Sequence, residues 1–242
     1  MLVNLQRDSG SEEESDLGDA ASKERLILIF HGLGPVPDQI GSAEREYWCD
    51  EDRFKSIIDA TFMLPRHVSV EFHFDDGNIS DVIIAMPVLR DRGLTACFFV
   101  CAGRIGRPGY LDSSAISELI SAKMEIGSHG WGHINWRRAD DKTLDTEIDG
   151  ARKKIADVAG CVIDKVAIPF GHYDRRVLRR LQASANEIKT VFTSDGGRVQ
   201  HTRWLLPREA YHTSWADSTV AELAIRPLSI RRFIARIVKR LR

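Results

Sequence analysis

The sequence predicts an α/β fold built from repeated strand–helix units, and three observations carry that prediction. From Arg25 onward, short apolar runs alternate with amphipathic helical patterns, as expected where strands and helices take turns along a chain. Val68, Val70, Phe72 and Phe74 recur with a period of two before the chain meets Asp75 and Asp76, the pattern of a strand with two unlike faces. His31, Asp75, Asp76, His129, Pro169 and Phe170 each fall just past a predicted strand, and in folds of this class functional groups gather at the carboxyl ends of strands.

Taken in order, residues 26–30 form an unbroken apolar run and read as a buried strand, and Phe54, Ile57 and Ile58 mark one face of a helix. The strand ending in Asp75 and Asp76 follows. Residues 80–92 read as a helix that Pro87 bends or interrupts, because proline lacks the N–H a helix interior requires. Residues 94–100 are a strand. Asp112 is placed to cap a helix carrying Ile116, Leu119 and Ile120 on one side. After a strand at residues 124–127, a long helix is predicted over 141–158, with Leu144, Ile148, Ala151 and Ile155 in register. Residues 166–168 lead into Pro169, Phe170 and Gly171. A helix around Val177, Leu178 and Leu181 precedes the last clear strand at Val191 and Phe192, giving about six strand–helix units.

Composition limits what surrounds this core. A chain of 242 residues, 43% hydrophobic and 29% charged, can bury a substantial interior as one domain. The formal net charge of -1 conceals an asymmetry: residues 1–24 hold seven acids against Arg7 and Lys23, and residues 226–242 hold seven basic residues and no acid. We therefore expect a disordered acidic tail over 1–24, a domain over 25–225 and a basic amphipathic helix over 226–242. A basic start followed by an apolar run, the mark of a signal peptide, is absent, and no apolar run reaches membrane-span length. The expected location is cytoplasmic. Cys49, Cys97, Cys101 and Cys161 form no C-x-x-C pair; Cys97 and Cys101 lie roughly 13 Å apart along an extended strand, too far to bridge, and read as core thiols.

Two clusters carry chemistry. Adjacent carboxylates at a strand end point in different directions, so Asp75 and Asp76 can do different jobs, one binding a cation and one moving a proton. A turn or a helix start also explains an Asp-Asp-Gly sequence. Ser128-His129-Gly130-Trp131-Gly132-His133 adds two imidazoles four residues apart. With one carboxylate they can hold a single ion and leave a position open, the pattern of a catalytic rather than a structural zinc site; an imidazole satisfied in the core is the plainer reading of either histidine.

The order Phe74-Asp75-Asp76-Gly77, then Ser128-His129-x-x-x-His133, then Pro169-Phe170-Gly171 after an apolar strand resembles the polysaccharide deacetylases, the NodB-homology domain, over roughly residues 25–212. The resemblance implies a distorted (β/α) barrel of about seven strands. It also implies a divalent metal, usually zinc, bound by Asp76, His129 and His133, with Asp75 as the base that deprotonates the attacking water.

Two departures from the family pattern bear on mechanism. No histidine follows His212, where much of the family places its general acid. His31, at the mouth of the first strand, makes the chain resemble the circularly permuted exopolysaccharide deacetylases, in which the first strand brings the acid; His212 is the second candidate. The family's Arg-x-Pro motif reads Ala167-Ile168-Pro169 here, so the arginine that orients the base is missing. Arg208, in Leu206-Pro207-Arg208, resembles a later motif whose arginine also approaches the base. The backbone N–H at Phe170, which helps hold the oxyanion, is unaffected. His73 either tunes Asp75 or lines the barrel.

The implied function is metal-dependent removal of N-acetyl groups from amino sugars of a polysaccharide, oligosaccharide or lipid-linked glycan precursor, in exopolysaccharide or cell-envelope metabolism. Hydrolysis of another non-peptide carbon–nitrogen bond, in a cyclic amide or ureide, and a catalytically silent glycan-binding module are the alternatives. At the C-terminus, Phe233, Ile234, Ile237 and Leu241 lie opposite a basic face, so residues 229–242 either rest on an anionic membrane or pack their apolar stripe on the barrel with the arginines solvated. The rest of the chain shows no basic patch suited to nucleic acid.

Overall fold

The computed structural model describes residues 24–38, 40–199, 204–226 and 230–241, with the side chains of 230–233 excepted. The acidic tail expected over 1–24 lies outside the described residues, apart from Glu24, which opens the first strand.

Eight parallel strands make one sheet: β1 (Glu24–Phe30), β2 (Val68–Asp76), β3 (Ala96–Val100), β4 (Glu125–Ser128), β5 (Lys165–Ala167), β6 (Thr190–Thr193), β7 (Leu205–Pro207) and β8 (Glu209–Ala210). Their order is β7-β6-β5-β4-β3-β2-β1-β8. The strands at the two ends of that order, β7 and β8, are separated in sequence by Arg208 alone, so the sheet curls until its edges meet at this residue and forms a distorted, nearly closed (β/α) barrel. Pro207 has no N–H to give, which suits the break between the two short strands.

Nine α-helices accompany the strands among the described residues: α1 (Ser42–Arg45), α2 (Glu51–Thr61), α3 (Met86–Arg90), α4 (Ser113–Ser121), α5 (Asp141–Asp145), α6 (Ala151–Ala159), α7 (Arg175–Ala183), α8 (Thr219–Ile225) and α9 (Ile230–Leu241). Aspartates start four of them, each accepting a backbone N–H: Asp50 from Asp52, Asp112 from Ala115, Asp140 from Thr143 and Asp174 from Val177. The helix expected over 80–92 opens with a π-helical turn at Asp81–Ala85 and becomes α3 just before Pro87, where the wider turn accommodates the missing N–H. The helix expected over 141–158 likewise carries a π-helical turn, Thr146–Gly150, between α5 and α6.

Alternation along the strands divides the interior into two. Leu26, Leu28, Phe30, Phe72, Phe74 and Phe98 face outward and pack with Phe54, Ile57, Leu89, Ile116 and Leu119 of the helices. Ile27, Cys97, Phe99, Ala167, Phe192 and Leu206 form a separate cluster inside the barrel. The face of β2 that looked polar therefore meets the barrel interior, where His73 and Asp75 are buried. All four cysteines are free, and Cys49, Cys97 and Cys101 are core thiols.

The C-terminal helix differs from the packed alternative drawn from its sequence. Lys239 of α9 donates to the Gly171 carbonyl at 3.2 Å and pairs with Asp195, so a basic side faces the barrel. Ile234, Ile237, Val238 and Leu241 are exposed. Asp195, whose side chain is almost fully buried, draws the Lys239 cation inward, because a buried carboxylate is costly without a charged partner.

Candidate active site

β2 carries Asp75 and Asp76 to the barrel mouth, where Asp75 lies opposite Phe99 and Asp76 opposite Val100. Asp75 points inward. Arg208 donates to it from Nη1 and Nη2 at 2.8 Å each, in a two-pronged pair with both partners buried. The guanidinium lies 5.0 Å from the Phe99 ring centroid and 5.7 Å from that of Phe192, and Nε donates to the Thr193 carbonyl at 3.4 Å. Burial alone would raise the Asp75 pKa, but the Arg208 guanidinium outweighs it and holds the carboxyl well below its usual range. The guanidinium that meets Asp75 thus comes from Arg208, delivered through the seam. His73 stands with Nδ1 3.4 Å from Arg208 Nη1, and burial together with that cation pushes its pKa far down. It is a neutral lining group between Phe99 and Phe192.

Asp76 turns the other way because its backbone has φ of 81°, followed by Gly77 at 70°, a left-handed step that aspartate tolerates better than most residues. Its Oδ1 lies 3.3 Å from His133 Nε2 and 3.9 Å from His129 Nε2. Ligand atoms of all three residues fall within 4.8 Å of one another. Arg104 reaches the same Oδ1 at 3.1 Å while lying over the Tyr110 ring. Burial would raise the Asp76 pKa, but its neighbours, His133 first and the permanent cation of Arg104 among them, lower it instead.

The two histidines come from the loop after β4. His129 Nδ1 bonds to the Ala167 carbonyl of the neighbouring strand at 2.9 Å; a carbonyl only accepts, so Nδ1 carries the proton and Nε2 presents its lone pair to the cluster. Burial pushes the pKa of His129 down to about 4 and also lowers that of His133, which keeps both imidazoles neutral. His133 itself has φ of 53°. Glu147 holds this loop in shape: its carboxylate accepts from the backbone N–H of Trp131 at 3.0 Å, of Gly132 at 2.8 Å and from the Trp136 indole at 3.1 Å. A Cβ at Gly130, where φ is 81°, would stand 2.5 Å from that carboxylate, so the position requires glycine.

These groups open onto a cavity of about 390 Å³ whose wall includes His31, Tyr47, Trp48, Arg104, Tyr110 and Phe170. His31 leaves the end of β1 with its ring 5.5 Å from Tyr47; its Nδ1 is buried without a hydrogen-bond partner. Phe170 adopts φ of 58° and sets its ring 4.3 Å from that of His133. The structure thus gathers His31, Asp75, Asp76, His129, His133, Phe170 and Arg208 around one mouth. His212 is not among them; it bonds to Ser214 and Glu46 outside the cavity. Sequence reasoning missed Glu147 and Arg104. Glu147 had a signal, an acid beside Leu144, Ile148 and Ala151 on the apolar stripe of a helix; Arg104, in a glycine-rich loop, had none.

Two neutral imidazoles and one carboxylate, with lone pairs converging and the outer nitrogen of one imidazole already hydrogen-bonded, are the donor set of a catalytic divalent-metal site. Ligands about 2.0–2.2 Å from one tetrahedral ion stand roughly 3.3–3.6 Å apart; the Asp76–His133 pair meets this at 3.3 Å, and the three ligand atoms together are looser, within 4.8 Å of one another.

The sequence model of the family described as Polysaccharide deacetylase matches residues 65–189, just over half of the chain. The putative polysaccharide deacetylase YxkH of Bacillus subtilis (strain 168) is 21% identical over 174 residues, covering 67% of this chain and 62% of that protein, so the chain spans less than two thirds of that relative's length. Among solved structures, the polysaccharide deacetylase BC0361 from Bacillus cereus superposes with a TM-score of 0.72 at 15% identity, covering 84% of this chain and 69% of that one. The Streptococcus pyogenes deacetylase PplD, solved in complex with acetate, gives 0.69 at 17% identity, covering 84% of this chain and 99% of that one. At these identities the structural likenesses establish a shared fold.

Proposed function

Since the chain belongs to the polysaccharide deacetylase family, we propose that it hydrolyses N-acetyl groups from amino sugars of a polysaccharide, oligosaccharide or lipid-linked glycan precursor, with one divalent ion, zinc, held by Asp76, His129 and His133. The observation that carries this reading is the ionised, two-pronged Asp75–Arg208 pair directly beside the Asp76, His129 and His133 cluster in a single mouth.

An ion held by Asp76, His129 and His133 would supply Lewis acidity toward a carbonyl oxygen and would make water more acidic. Asp75 accepts the proton of the water that attacks the acetyl carbon, and Arg208 fixes both carboxylate oxygens so that this acceptor cannot swing away. The Phe170 backbone N–H donates to the oxyanion as the carbonyl becomes tetrahedral. His31 delivers a proton to the departing nitrogen; the carbon–nitrogen bond breaks to give acetate and a free amine.

The reading is tested by incubating the zinc-loaded protein with N-acetylglucosamine oligomers and measuring acetate and free amine together. Equal yields of both, lost on chelation and restored by zinc, are expected. Turnover without acetate, or none with the metal site full, overturns it. The assignment of the acid has its own check: His31→Ala should lose about 10²-fold in turnover while binding zinc normally, and His212→Ala should lose far less. The reverse ranking removes His31 from the mechanism.

A further inference from the structure

We propose that α9 and the neighbouring α7 form a docking face for an anionic lipid surface. Ile234, Ile237, Val238 and Leu241 repeat at the spacing of one helical stripe and are 54%, 39%, 40% and 73% exposed. The stripe is turned outward by the helix's own cations: Lys239 pairs with Asp195, bonds to the Gly171 carbonyl and sits 5.3 Å from the Tyr173 ring, and Arg236 lies half-buried near the same aspartate. This is the opposite of a helix that packs its apolar side on a barrel.

Charge identifies the occupant. The segment 226–242 has seven basic residues and no acid, and of the seven Lys239 and Arg236 are turned to the barrel and not to this face. Arg240 is exposed on α9, and α7, packed alongside, exposes Arg175 and Arg179, which make no ion pair among the described residues. An apolar stripe bordered by exposed cations fits the boundary between acyl chains and anionic headgroups. A second copy of the chain fits worse. A twelve-residue helix is about 18 Å long, and its four aliphatic groups offer a few hundred Å² at most, where a stable interface buries roughly 1,200–2,000 Å² in total.

The face is tied to the mouth. Lys239 holds the carbonyl of Gly171, next to Phe170 in the cavity wall, so α9 is anchored to the wall of the cavity. Only one consequence, that the site meets glycans displayed on lipid, rests on the deacetylase reading; the docking does not.

Sedimentation of the full chain with phosphatidylcholine vesicles, with and without phosphatidylglycerol, tests the proposal. Binding is expected only with phosphatidylglycerol and should weaken as salt rises. Ile237→Asp combined with Leu241→Asp should weaken it by at least about tenfold, and Arg175→Gln combined with Arg179→Gln should weaken it and flatten its salt dependence. Acetate release from soluble oligomers, followed on the same samples, reports separately on the enzyme and on the folding of each variant. Failure of the wild type to sediment, undiminished binding by the doubly aspartate-substituted chain, or a dimer in light scattering that dissolves in that variant overturns the proposal.

Discussion

The seam of the barrel and the histidine loop both present side chains to one mouth, yet they obtain their geometry from different sources. At the seam, β2 delivers Asp75 and the junction of β7 with β8 delivers Arg208, so two strand ends on a nearly closed sheet set the pair. On the loop, the backbone between His129 and His133 has few ladder bonds to rest on, and a side chain from the next helical stretch, Glu147, stands in for them. The difference teaches where each part should be sensitive. The seam commits two buried charges that tolerate no loss of a partner; the loop commits backbone donors that a weaker acceptor can partly satisfy.

The comparison breaks most sharply at Arg208. Arg208→Met leaves Asp75 buried without its cation, and removing one partner of such a pair typically costs about 3–5 kcal/mol. Denaturant unfolding should show a loss of that size; a variant within about 1 kcal/mol of the wild type would show that the seam is not held by charge.

Acid should act next. Burial keeps His129 neutral, with its pKa pushed down to about 4, whereas the unfolded chain takes up that proton near 6.5. Between these values the unfolded state binds more protons, so stability falls as pH drops from about 6.5 to 4, by about 3 kcal/mol from this group. The Asp75 carboxyl is shifted the same way from a lower starting point; its contribution is present above its unfolded pKa near 3.9 and is lost only as pH falls below that. Unfolding of the chelated protein measured across this range should therefore weaken first through the histidine loop. A flat profile down to pH 4 contradicts the buried neutral imidazole.

Glu147→Gln is the finer instrument. A glutamine keeps one carbonyl acceptor where the carboxylate satisfied three donors, so the loop loosens without losing a ligand. Zinc affinity, titrated directly into the stripped protein, should fall by about 10- to 100-fold, with Asp75 and Arg208 undisturbed. Unchanged affinity would mean that the ligands are placed without Glu147.

The same contrast explains what the sequence could reveal. The period-two run into Asp75 and Asp76 and the four-residue spacing of His129 and His133 are local patterns, readable without knowing what packs against them. Arg208 was traceable through Leu206-Pro207-Arg208, but its place at the seam depends on β7 and β8, three and two residues long, too short to show a period. For His73 the sequence leaves open whether it tunes Asp75 or lines the barrel, because alternation says which residues share a face and not what that face meets; burial between Phe99 and Phe192 makes it a lining group. α9 was plain as an amphipathic helix, whereas its orientation is decided by Asp195, on another element.

The central claim, that adjacent carboxylates divide proton transfer and metal binding between them, is tested most directly by Asp75→Asn and Asp76→Asn side by side, with bound zinc and acetate release measured on each. The account predicts that Asp75→Asn keeps close to one zinc per chain and loses about 10²- to 10⁴-fold in turnover, while Asp76→Asn loses the zinc and the activity together. Equal zinc loss in both variants, or full zinc in Asp76→Asn, would contradict it.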